Sequence, residues 1–331
     1  MPKRQPHKKQ HTVPKTYLEN FADPKGSIWM LNTELKIYPN APKNTLTRNF
    51  YYNVTFNGKD SLIVEKGFLG ALESEFANVY HTKIKNKLRL TDEEKVKVSL
   101  FVAAQFNRVP GRRDAMRDFL DRVEKMTERM KRSVEGMSEK ERENLARFNA
   151  ISSHGHRDSI PADDLIKMKD TLDKDYSAML PELTFDIAPI IFSMNWGFMV
   201  YEKGDNFFIT SDDPCTMANP DLERHYGAGT LISTPGLGQK GVELMIPLSP
   251  TISLLAGWLL RSDRAYIPVT SEMVDDTNKR HLRHGTLTIT NSERHAQALK
   301  DYVLRKQKLY AVRNVLSEPI EEMRLTIGPI L

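Results

Sequence analysis

Apolar residues in the first half of the chain recur at the spacing of helices. Over residues 61–180, hydrophobic side chains repeat every three or four positions, which predicts a series of helices. The segment 96–106 is apolar almost all round, which is typical of a buried helix. Residues 112–147 are densely charged with mixed sign, which indicates exposed helices. One further helix carries an apolar stripe formed by Leu69, Leu72, Phe76 and Tyr80.

Two prolines come directly after the last helix of this half. We expect that helix over residues 162–179, with Pro181 and Pro189 breaking the segment after it. Proline lacks an amide hydrogen, and its ring clashes with the preceding helical turn.

After about residue 195 the pattern changes to short β-like runs. Glycine, proline and aspartate separate these runs, which predicts strands at 196–201, 206–210, 242–247 and 251–258. Near the N-terminus, residues 27–31 and 34–38 predict a hairpin around Asn32-Thr33. Helices and strands thus occupy separate stretches of the chain. The prediction is a helix-rich α+β fold, with a small N-terminal hairpin and an antiparallel or mixed sheet in the C-terminal half.

The length of 331 residues suits two ordinary domains, or one large domain with an appended lobe. We predict a basic arm over residues 1–16 and a single large domain over 17–331. Within that domain we expect a helical region at about 61–195 and a mixed β/α region at about 196–315.

The net charge of +5 is concentrated in the arm. Residues 1–16 contain five basic residues and no acidic one, and the remainder carries 43 basic and 43 acidic residues. Such an arm can contact the phosphates of a nucleic acid, or it can be a solvated tail, and both interpretations stay open.

Other features of composition concern location. No apolar stretch is long enough to cross a bilayer, and the basic N-terminus lacks the apolar segment of a secretory signal. The single cysteine, Cys215, excludes an internal disulfide and a cysteine-rich zinc site. We therefore expect a cytoplasmic protein without a membrane partner.

Glu73 is the first candidate site residue because it lies on the apolar stripe of its predicted helix. A carboxylate in such a place must be paired, bound to a metal or protonated. An interior salt bridge with an arginine and a functional role are both open.

Gln105 and Arg108 lie one turn apart in the buried helix, and Arg112 would join them if the helix continued through Pro110-Gly111. A buried arginine usually holds a carboxylate or a phosphate. The alternatives are an ion pair or a cap on the helix end.

Two further candidates lie at the ends of predicted elements. Ser211 and Asp212 follow an apolar strand, where a carboxylate can bind a divalent cation, act as a base or form an Asx turn. His11 precedes a short amphipathic helix, and a histidine can transfer protons near neutral pH.

These residues resemble the motifs of a bacterial and phage family, the domain of unknown function family 4238. The opening signature H-x-V-P-x-x-Y-L-x-x-F and the later signatures Q-x-x-R-x-P and T-S-D-x-P are present in order. They are carried by His11, Val13, Pro14, Tyr17, Leu18, Phe21, Gln105, Arg108, Pro110, Thr210, Ser211, Asp212 and Pro214. A late-helix asparagine, Asn278, also fits the resemblance.

The resemblance implies that His11, Glu73, Gln105, Arg108 and Asp212 meet in space. On that basis we predict a metal-dependent nuclease or phosphodiesterase acting on nucleic acid. Glu73 and Asp212 would bind Mg²⁺ or Mn²⁺, Arg108 would hold the phosphate, Gln105 would orient it, and His11 would be the general acid or base. We assign substrate binding to Tyr17, Arg112, Ser211 and Asn278.

Two other functions fit the same residues. One is a non-catalytic binding or interaction protein in which the polar residues form a structural network. The other is an enzyme for a small ligand whose carboxylate is held by Arg108. The distribution of the family in bacteria and phages suggests a role in the conflict between them.

Overall fold

The computed structural model describes residues 9–56, 59–152, 162–204, 206–226 and 235–307. The strands are β1 (Lys9–His11), β2 (Ile28–Asn32), β3 (Ile37–Asn40), β4 (Thr47–Asn49), β5 (Val54–Phe56), β6 (Lys59–Ser61), β7 (Asn195–Val200), β8 (Thr210–Ser211), β9 (Thr216–Ala218), β10 (Glu243–Ser249), β11 (Ile252–Gly257), β12 (Ala265–Pro268) and β13 (Leu287–Thr290). The α-helices are α1 (Lys15–Leu18), α2 (Gly70–Val79), α3 (Asp92–Arg108), α4 (Pro110–Glu135), α5 (Glu139–Ser152), α6 (Ala162–Ser193), α7 (Pro220–Tyr226), α8 (Ser271–His284) and α9 (293–307).

The fold is α+β and helix-rich, as the sequence predicts. The N-terminal hairpin is present as the antiparallel pair β2–β3, and the C-terminal half contains a mixed sheet. Among the described residues, no helix combines the length and the apolar character needed to cross a membrane.

The chain divides into two compact units, each built from two separate segments. Unit 1 comprises the described residues of Met1–Val13 and Thr47–Ser193, and unit 2 those of Pro14–Leu46 and Met194–Leu331. Half of the predicted arm (residues 1–8) and the end of the predicted β/α region (308–315) lie outside the described residues.

Unit 1 is mainly helical, with α3 at its centre. A capping box starts α3: the Thr91 side chain accepts from the Glu94 amide, and the Glu94 side chain accepts from the Thr91 amide. From Phe101 to Arg108 every residue of the helix is buried. Stacking of Phe76 on Phe101, with ring centroids 3.8 Å apart, joins α2 to α3. The expectation of a buried helix near 96–106 is confirmed.

The prolines of α6 correct one prediction. Pro181 and Pro189 lie inside this helix, which runs unbroken to Ser193. Leu180 next to Pro181 and Ala188 next to Pro189 are buried, and α6 packs along α3. The apolar burial on both sides of the prolines offsets the lost backbone hydrogen bonds.

Unit 2 contains two sheets of four and five strands. The five-stranded sheet has the order β12-β7-β11-β10-β9, in which β12 and β7 are parallel and the other pairs antiparallel. The four-stranded sheet has the order β3-β2-β13-β8 and is antiparallel throughout. The four-stranded sheet matters for function because its edge strand β8 contains Ser211 and is followed by Asp212.

The prediction of a strand at 206–210 is wrong over most of that range, since only Thr210–Ser211 form β8. The side chain of Asn278 on α8 accepts from the Ile209 amide at 3.0 Å and donates to the Phe207 carbonyl at 2.8 Å. A side chain thus occupies the backbone groups that a neighbouring strand would otherwise bind.

Candidate functional site

Arg108 is the centre of a polar network in unit 1. It lies at the C-terminal end of α3 with only 3% of its surface exposed. Its Nη1 atom donates to Glu73 Oε1 at 2.6 Å, its Nη2 to the His11 carbonyl at 2.5 Å, and its Nε to the Tyr52 hydroxyl at 3.1 Å. The sequence left several partners open for Glu73 and Arg108, and the structure shows that the two form an interior ion pair.

The electrostatics of the network keep Arg108 charged. Burial opposes its charge, but Tyr52 and Glu73 raise the pKa of its guanidinium above the ordinary value overall. Burial also raises the pKa of Tyr52 to about 12, so this phenol is neutral at physiological pH. The result is a permanent cation compensated by a single carboxylate.

Gln105 lies one turn before Arg108 and is fully buried. Its Nε2 atom donates to the Thr12 carbonyl at 3.4 Å, and its Oε1 has no hydrogen-bond partner among the described residues. Gln105 and Arg108 thus bind the carbonyls of two successive residues, His11 and Thr12, and fasten this segment to α3.

Two members of the network were not predicted from the sequence. Gln10 Oε1 accepts from the Tyr52 amide at 2.6 Å, and Gln10 Nε2 donates to Asn53 Oδ1 at 2.8 Å. Gln10 lies among basic residues, a setting typical of solvated side chains, so the sequence carries no signal for it. The sequence does contain a signal for Tyr52, because an aromatic residue in a loop rich in proline and asparagine indicates local burial.

Next to the network lies an arginine–aromatic cluster. Arg112 lies 4.0 Å from the ring centroid of Phe106, Arg113 5.8 Å from that of Tyr176, and Arg48 5.5 Å from that of Tyr51. Tyr51 interacts electrostatically with Arg48 and Arg113, and Tyr176 with Arg112 and Arg113, which places these groups together. Burial raises the pKa of Tyr51, whose hydroxyl has no hydrogen-bond partner among the described residues.

The condition for Arg112 to join Gln105 and Arg108, a helix that continues through Pro110-Gly111, is not met. Because α3 ends at Arg108 and α4 begins at Pro110, Arg112 belongs to the first turn of a different helix from Gln105 and Arg108. Proline at the start of a helix is favoured because the first amides have no helical partner.

Asp212 has a structural role in unit 2. Its Oδ1 accepts from the amides of Thr286 at 2.8 Å and Leu287 at 3.1 Å, and its Oδ2 accepts from the Thr286 hydroxyl. Gly285 makes room for it, since a Cβ there would lie 2.6 Å from Ser211 Cβ and 3.0 Å from Asp212 Oδ1. The carboxylate thus fixes the start of β13.

Three residues assigned to substrate binding lie in β8 or bind the backbone and side chains near it. The Tyr17 hydroxyl contacts Thr210 Oγ1 at 2.8 Å and donates to the Pro247 carbonyl at 2.5 Å. Ser211 Oγ donates to the Asp213 carbonyl at 2.8 Å, and Asn278 bonds the backbone of residues 207 and 209. All three residues are almost fully buried, and their side chains form hydrogen bonds with other groups of the same chain.

The predicted site residues are therefore partly brought together. His11, Glu73, Gln105 and Arg108 meet in unit 1, whereas Asp212 belongs to unit 2. No group of three or more His, Cys, Asp or Glu side chains in the described part of the chain could hold a metal ion. Metal binding by Glu73 and Asp212, and the meeting of all five residues, stay predictions.

The comparisons with known proteins bear on the family of this chain. No curated protein and no solved structure matches it significantly. A family model described as Protein of unknown function (DUF4238) matches residues 9–298, in agreement with the motifs seen in the sequence. The chain therefore belongs to this family.

Proposed function

We propose that this protein binds nucleic acid without cleaving it, through the arginine–aromatic cluster of unit 1. The observation that carries the proposal is the grouping of Arg48, Arg112 and Arg113 over the rings of Tyr51, Phe106 and Tyr176. A guanidinium held beside an aromatic ring is placed to bind a phosphate through two parallel hydrogen bonds. Aromatic rings also offer surfaces on which bases stack.

The surface beside the cluster extends its charge and its aromatic character. Arg48 is exposed on β4, and Phe50, two residues further along the chain, is 45% exposed. Strand β1 pairs with β4 so that Gln10 lies opposite Arg48 and the exposed Lys9 opposite Asn49. The basic segment of the sequence therefore leads directly into the strand beside Arg48, where its charge would attract the same polyanion.

Binding without cleavage is favoured by the contacts of the candidate catalytic groups. All three kinds of nitrogen in the Arg108 guanidinium donate to protein atoms, and Glu73 is held by Arg108. Asp212 is held by Thr286 and Leu287. Metal binding would have to displace these partners, which favours the network over a two-carboxylate metal site.

The test is binding of fluorescent single- and double-stranded oligonucleotides in the presence of EDTA, followed by anisotropy over a range of salt concentrations. We expect affinity that falls with salt, and a log–log slope reduced by about 1 in Arg48→Gln and in Arg113→Gln. Arg132→Gln is the matched control, because Arg132 is 74% exposed and lies roughly 28 Å further along α4 at about 1.5 Å per residue. Equal binding by all three variants would refute the proposal.

A metal-dependent nuclease or phosphodiesterase remains the alternative function. A cleavage assay with the same purified protein tests it. Incubation with Mg²⁺ or Mn²⁺ should leave DNA and RNA intact. If the substrates are cut, and both Glu73→Ala and Asp212→Ala abolish cutting without lowering the melting temperature, the catalytic alternative is correct.

A further inference from the structure

Unit 2 contains a polar cavity between α8 and α9. Its volume is about 340 Å³, within the range of small-molecule sites. Polar side chains of both helices line it: Asp275, Asn278 and Lys279 from α8, and His295, Tyr302 and Arg305 from α9. A neighbouring cavity of about 570 Å³ shares Lys279 and Tyr302 with it.

His295 is the unusual group in this cavity. The residue is only 6% exposed, and its Nδ1 atom is buried without a hydrogen-bond partner among the described residues. Burial lowers the pKa of His295 to about 4, so the ring is neutral at physiological pH. A buried polar nitrogen without a partner is destabilising, and such groups are rare in folded proteins.

The charges around the cavity favour an anion. Arg305 is exposed and forms no ion pair with a described residue. Lys279 lies on the other helix, with its Nζ 2.6 Å from Asp276 Oδ1. The one carboxylate lining the cavity, Asp275, accepts from Asn206 Nδ2 at 2.7 Å. The neighbouring cavity adds the cations Arg280, Arg283 and Lys306, and there Arg280 pairs with Glu243 at 2.7 Å and Arg283 lies 3.9 Å from Glu223.

The cavity also has an apolar part. Leu282, Ala298 and Leu299 line it between the polar groups. A bare inorganic ion would leave these side chains without contact, whereas an organic molecule with one charged end would cover them.

We propose that this cavity binds a small organic anion. Its carboxylate or phosphate group is held by Arg305 and Lys279, its apolar part packs against Leu282 and Leu299, and its binding changes the surroundings of His295, which lines the cavity. This site is independent of the nucleic-acid surface proposed for unit 1.

The experiment observes the imidazole nitrogens of the full-length, ¹⁵N-labelled protein by NMR. The chain has nine histidines, so His295→Gln assigns the signal by its disappearance. Phenyl phosphate and benzoate are titrated separately, and benzyl alcohol serves as the uncharged control. We expect a saturable shift of the His295 Nδ1 signal with at least one anion, whose identity distinguishes phosphate from carboxylate, and no shift with the alcohol.

Two variants test the role of charge. Arg305→Gln should weaken binding of the active anion by about tenfold, the effect of one charge-assisted hydrogen bond. Arg261→Gln removes an exposed arginine of unit 2 that lines neither cavity and should bind like the unaltered protein. The proposal is overturned if neither anion shifts the signal, if the alcohol shifts it equally, or if the two variants bind alike.

Discussion

Inside unit 1, Glu73 Oε1 lies 2.6 Å from the Nη1 atom of Arg108 and compensates its positive charge. The two groups differ in exposure, since the side chain of Arg108 is 3% exposed and that of Glu73 is 24% exposed. Removing the carboxylate leaves the guanidinium buried without compensation, because an arginine does not lose its proton.

The change Glu73→Ala should therefore lower the free energy of unfolding by about 3 kcal/mol, the lower end for breaking a buried pair because Glu73 still meets solvent. Denaturant unfolding of the full chain measures it. Glu75→Ala is the matched control, since Glu75 is 52% exposed and pairs with Lys97 at 3.0 Å, and its loss should stay below about 1 kcal/mol. Equal losses in the two variants would contradict a structural role for the pair.

His281 makes stability depend on pH. It is fully buried on α8, both ring nitrogens lack partners among the described residues, and burial lowers its pKa to about 3. The unfolded chain binds the proton at about 6.5, so below that pH it holds more protons than the folded chain. Stability is lost as the pH falls from about 6.5 toward 3.

Between about pH 7.5 and about pH 5, the unaltered protein should lose roughly 2 kcal/mol more stability than His281→Leu. Denaturant unfolding at the two pH values gives both numbers. Other titrating groups, including His295, are common to the two proteins and cancel in the comparison. An identical loss in both would show that His281 is protonated without cost in the folded state.

At the scale of elements, the connection between α8 and β13 depends on Gly285. Its φ of −86° suits any residue, so the requirement for glycine is steric and comes from Ser211 and Asp212. Gly285→Ala should cost about 1–3 kcal/mol by overpacking, measured by thermal or denaturant unfolding. Gly238→Ala is the control, because a Cβ there meets nothing within 4 Å. A neutral Gly285→Ala would mean that β8 shifts away freely.

Helices and strands whose sequence pattern lies within a few residues could be predicted. Those whose bounds depend on contacts with distant side chains could not. The β2–β3 hairpin and the buried helix α3 follow from patterns contained within a few residues. The continuation of α6 through Pro181 and the loss of strand before Thr210 depend on packing and on Asn278, 71 residues from Phe207. The same holds for the site, where the pairing of Glu73 with Arg108 was an open alternative and Gln10 was missed.

At the scale of the whole molecule, each unit has its own core and its own polar network. Hydrogen exchange of the Tyr52 amide, which donates to Gln10, measures local opening of unit 1. Exchange of the amides in the β10–β11 pair measures opening of unit 2. In Glu73→Ala, hydrogen exchange should quicken at residues 9–12 and at Tyr52, while the β10–β11 amides keep their protection. Mass spectrometry of peptides from both units measures this, and a uniform increase would mean that the units unfold as one.

The contacts of Asn278 also bear on how copies of this chain meet in solution. β8 is an edge strand, and edges with free amides and carbonyls recruit strands from other molecules. The residues before it offer few such groups, because Asn278 binds Ile209 and Phe207, and Phe208 donates to the Pro250 carbonyl at 2.9 Å. Asn278 and the Pro250 carbonyl thereby occupy backbone groups that would otherwise be open to pairing with a strand of another copy.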